Sequence, residues 1–122
     1  MTIPMKLNDI VDRFTIAYLK YQRISESDFR DEIIEYWGEI ENTSDIHPYL
    51  SALYHMNKEI WDLEYAIRNA QDEELGFEEI GRRAVRIRDA NQVRIRIKNI
   101  IAERFGGYCD VKMNYSKETN DE

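Results

Sequence analysis

Apolar residues recur at spacings of three and four in four separate stretches of the chain, so the pattern predicts four helices. Leu7, Ile10, Val11, Phe14, Ala17, Tyr18, Tyr21 and Ile24 define the first over Leu7–Ile24, with Asn8 or Asp9 as a candidate cap. Ser25-Glu26-Ser27-Asp28 offers capping side chains to a second, Ser27–Glu41, whose stripe is Phe29, Ile33, Tyr36, Trp37 and Ile40. Turn residues Asn42–His47 follow, and Pro48 suits a first helical position. A third helix then runs to about Asp72 on Tyr49, Leu53, Met56, Ile60, Leu63, Ile67 and Ala70. After a break at Glu73–Gly76, the fourth extends from Phe77 to Phe105, where Gly106-Gly107 stops it. Cys109, Val111, Met113 and Tyr115 alternate with polar residues and predict a short extended arm, and Ser116–Glu122 is expected to be a disordered polar tail. The expected architecture is all-α: a four-helix bundle with a long antiparallel hairpin of helices 3 and 4, in a single domain over residues 1–115.

A second, polar stripe interrupts this pattern. Asn57, Trp61, Glu64 and Arg68 follow helical spacing at the edge of the apolar face of helix 3. An antiparallel hairpin turning near Leu75 and Gly76 pairs positions whose numbers add to about 151. Asn57 then lies opposite Arg94, Trp61 opposite Ala90 and Asn91, and Glu64 within reach of Arg83, Arg86 or Arg88. Asn91, Arg94 and Lys98 form a stripe of their own, and helix 1 contributes Asp12, Arg13, Thr15 and Lys20. Half-buried polar groups need partners, because each left unpaired costs about 1–3 kcal/mol. The set is therefore either a hydrogen-bonded network that fixes helix register or a pocket between helices where Arg94, Lys98 and a third base hold a small anion against Trp61.

Composition narrows the class. Five Gly and two Pro in 122 residues are few for a sandwich or barrel. No apolar run reaches the roughly 18 residues of a membrane span, and one Cys, Cys109, permits no internal disulfide, so a cytoplasmic setting is expected. A net charge of −7 argues against a nucleic-acid partner. That charge is uneven: Phe77–Phe105 holds eight bases against four acids, so this segment is +4 and the remainder −11. Such a basic helix seeks acidic neighbours in its own bundle or in a second copy. A fourth helix about 40 Å long is also more than three shorter helices can cover, which points to a homodimer through the long helices.

Chemistry is sparse. There is no nucleophile elbow, phosphate loop or dinucleotide fingerprint, and His47 and His55 belong to no ligand set. Glu32-x-x-Glu35 and Glu59-x-x-Asp62 place carboxylates one helical turn apart, a spacing that can hold Mg²⁺. These pairs resemble motifs of the all-α nucleotide pyrophosphohydrolases of the MazG type. If the chain hydrolyses a nucleotide or sugar phosphate, those four acids must converge on one cavity. Otherwise no cofactor is expected, and a non-enzymatic binding or assembly role, with a small anionic ligand or a protein as partner, is the leading expectation.

Three blocks together carry a wider resemblance. Asp12-Arg13-Phe14-Thr15-Ile16 with Lys20 and Arg23-Ile24, then Asn57 with Ile60-Trp61-Asp62-Leu63-Glu64 and Ile67-Arg68, then Asn91, Arg94 and Lys98, resemble the pattern of a small bacterial and phage family known as a domain of unknown function. The blocks reach from the N-terminus to about Lys98, and Ala17-Tyr18 departs from the family's usual Leu-Glu. The resemblance implies that the polar stripe belongs to a recurring pattern, and it implies no activity.

Overall fold

A computed structural model of the chain describes residues 2–69 and 72–112. The element order is β1 (Thr2–Lys6), α1 (Leu7–Arg23), α2 (Glu26–Ile40), α3 (His47–Asn69), α4 (Asp72–Phe105) and β2 (Tyr108–Lys112). The chain is an all-α four-helix bundle. Helix α1 is the central element: α2 packs along it, α3 and α4 both contact it, and α3 and α4 form an extensive hairpin. Among the described residues, α2 has no extensive interface with α3 or α4 and meets them only around the shared core.

Helix boundaries follow local chemistry. Helix α1 begins directly at Leu7 with Lys6 at the N-cap, so Asn8 and Asp9 sit inside the first turn and are not caps. Asp9 there complements the positive end of the helix, and Lys20 and Arg23 the negative end. Ser25, in extended conformation, precedes α2. Gly76 lies inside α4 with φ 76° and ψ 154°, so the continuous helix starts at residue 77. That backbone region is open essentially to glycine alone.

One hydrophobic core sits at the end of the bundle where the chain enters and leaves. Leu7, Ile10, Val11, Tyr36, Ile40, Ile46, Leu53, Ile101 and Val111 are buried together. The C-terminal arm closes this core. As β2 it pairs antiparallel with β1, Ile3 opposite Val111, which brings Val111 and the half-buried Cys109 onto the apolar cluster. The strand β1 was not expected from the sequence. Residues 113–122, with Met113, Tyr115 and the expected tail, lie outside the described residues, as does Ala70. Among the described residues no helix is long and apolar enough to cross a membrane.

Candidate functional site

The polar residues meet where α1, α3 and α4 touch. Asp12, one and a half turns into α1, is only 5% exposed and stands at the centre. Its Oδ1 accepts from Asn57 Nδ2 at 3.0 Å and from Arg94 Nε at 3.1 Å, and its Oδ2 accepts from an Arg94 terminal nitrogen at 3.0 Å. The guanidinium thus grips the carboxylate with two parallel bonds, the geometry that favours Arg over Lys at such a site. The remaining Arg94 nitrogen donates to Asn91 Oδ1 at 3.3 Å. Lys98 Nζ lies 3.1 Å from Asp9 and 3.8 Å from Asp12. Thr15 Oγ1 donates to the Asp12 carbonyl at 2.7 Å and accepts from Asn57 Nδ2, also at 2.7 Å.

This network is closed on its charges. Arg94 and Lys98 face Asp12 and Asp9, two cations against two carboxylates. The anion-pocket alternative needed surplus bases around a cavity, and these two are already paired. Asp9 was read only as a helix cap. Its spacing of three from Asp12, matching the spacing of four between Arg94 and Lys98 on an antiparallel helix, is the signal that would have found it.

The other expected members lie elsewhere. Arg13 is exposed on the next face of α1, as a residue one position from Asp12 must be. Trp61 is half-buried, with the Arg23 guanidinium 5.8 Å from its ring centre, and Arg23 donates to Asp62. Glu64 and Arg68 are exposed, and Glu64 forms no ion pair with a described residue. Its expected partners are engaged within α4 or exposed: Arg83 pairs with Glu79 at 2.8 Å, Arg88 with Asp89, and Arg86 is solvated. Neighbours one turn away on the same helix are reached at lower conformational cost than a group across the hairpin.

Glu32, Glu35, Glu59 and Asp62 do not form a metal centre. Among the described residues no three acidic, histidine or cysteine side chains come together as a metal-holding group. The first two acids are on α2 and the second two on α3, helices without an extensive shared interface, and Asp62 is bonded to Arg23. The aromatic residues are mainly packing groups: Tyr36 is fully buried, and the Phe14, Trp37 and His47 rings follow one another in tilted contacts.

Burial pushes the Asp12 carboxyl up, but hydrogen bonds from Arg94 and Asn57 and the charges of Arg94 and Lys98 outweigh it and hold the group below the ordinary aspartate value. A carboxyl lowered in the folded state contributes stability above the unfolded value of about 3.9, and loses it as pH falls through the folded value. Urea unfolding at a series of pH values should therefore show a steepening loss below about pH 4. Asp12→Asn should flatten that limb, and an unchanged slope in the variant would show that Asp12 titrates normally.

Compared with family models, curated proteins and solved structures, the chain matches none. The likeness drawn from its three sequence blocks rests on those residues alone.

Proposed function

We propose that this chain is a non-enzymatic assembly protein that acts as a homodimer, with the Asp12–Asn57–Arg94 network locking helix register inside each copy. One observation carries the dimer: opposite charge accumulates on helices that share no extensive interface. Helix α2 bears six acids against the single base Arg30, and the continuous part of α4 is +4, yet among the described residues the two share no extensive interface. The outer surface of α4 also leaves Val85, Ile95 and Ile100 between 44% and 52% exposed, and Ile34 on α2 is 62% exposed. A two-fold pairing sets each α4 on the partner's α2, so that both the charge and the apolar residues are answered twice. Arg86 and Arg96, exposed and without an ion pair to any described residue, face such a partner. Cys109, the chain's single cysteine, suits the reducing cytoplasm.

Native-state association raises the melting temperature with protein concentration. Dilution should therefore lower it. The Arg86→Glu, Arg96→Glu double variant, altered only at exposed positions, should weaken the dimer at least tenfold, about 1.4 kcal/mol, and move the concentration dependence of melting to concentrations at least tenfold higher. A wild-type transition that does not move on dilution would count against this reading.

A further inference from the structure

Beside the closed network lies an open cavity of about 240 Å³. Ile16, Leu19, Ile60 and Trp61 give it apolar walls, and Asn57, Glu64, Asn91 and Arg94 give it polar groups. We infer that this cavity is a receptor for a small cation, an ammonium or guanidinium on a short apolar body, with Glu64 as countercharge, Asn57 Oδ1 as acceptor and Trp61 as wall.

The hydrogen bonds decide the sign of the ligand. Arg94, the one base in the lining, donates from all three nitrogens to Asp12 and Asn91. Its charge is already answered by the Asp12 carboxylate, which weakens any pull on an anion. Asn57 is 7% exposed, and its orientation is forced: an ionised Asp12 only accepts, and the Thr15 hydroxyl, having given its proton to a carbonyl, accepts as well. Nδ2 therefore points into the network, and Oδ1 is left without a donor from the described residues. The Glu64 carboxylate is likewise unpaired. An anion could take the Asn91 side-chain N–H but would also meet the Asn57 carbonyl oxygen and the Glu64 carboxylate, whereas a cation with N–H donors satisfies both of these acceptors. The same chemistry already operates next door, where the Arg23 guanidinium lies over the Trp61 ring and bonds to Asp62. Neither Arg23 nor Asp62 lines the cavity, and Arg94, the base that does, is turned to Asp12 and Asn91. The inference is independent of the dimer.

The test uses agmatine, which carries both cationic groups, titrated into ¹⁵N-labelled protein alongside inorganic phosphate. Agmatine should shift the Trp61 indole and Asn57 side-chain amide resonances at millimolar concentration, and phosphate at matched ionic strength should leave them in place. Glu64→Gln, at an exposed position, should keep the melting temperature and lose at least tenfold in agmatine affinity. Three results would each overturn the inference: no agmatine shift of those resonances, the same shifts with phosphate, or full affinity in Glu64→Gln.

Discussion

The Arg94→Met variant should unfold with about 3 kcal/mol less free energy than the native chain at neutral pH. Removing the guanidinium takes away two of the bonds to a carboxylate whose side chain is 8% exposed. Asn57 remains, and Lys98 stands at 3.8 Å, too far for a hydrogen bond and shared with Asp9. Breaking a buried pair from one side costs about 3–5 kcal/mol, because the surviving charge is stranded. The low end applies here, since Arg94 itself is a quarter exposed and Lys98 can move closer. Methionine keeps much of the packing of the side-chain stem. Adding Asp12→Asn should recover a large part of the loss, and the double-mutant cycle then gives the coupling directly. If Arg94→Met costs under 1 kcal/mol, the pair is solvated and does not lock the helices.

Val111→Asp should be more damaging, by about 4 kcal/mol, because it sets a charge in the core with no cation assigned to meet it. Val111 is fully buried on β2, across from Ile3 and against the cluster that includes Leu7, Ile10 and Ile101. Ile3→Ser, at a half-buried position of β1, should cost noticeably less. Urea unfolding of the two variants measures both. A Val111→Asp chain of native stability would mean that the C-terminal arm does not close this core.

The four helices were legible because each carries an uninterrupted stripe at a single period, and the hairpin register was legible because a short connection fixes it. That register brings Asn57 and Arg94 to the same oxygen of Asp12. The strand β1 was harder to read. Ile3 and Met5 do alternate inward against Thr2, Pro4 and Lys6, but five residues including a proline are a weak signal, and the partner strand lies some hundred positions away. Glu64 was misread for another reason. Its position on the helix 3 stripe was right, but Arg83 and Arg88 already had acids close by along α4, and Arg86 points to solvent. Sequence spacing gives the local pairs and the cross-helix pairs equal standing, whereas chain entropy does not. The net charges of α2 and α4 could be counted from the sequence, but only the fold shows that the two helices share no extensive interface.

Sedimentation equilibrium over a concentration series bears most directly on the proposed assembly. The account predicts a mass approaching twice the 14.6 kDa chain as concentration rises, falling back toward one chain in the Arg86→Glu, Arg96→Glu variant. A native protein that sediments as a single chain across the whole series would contradict it.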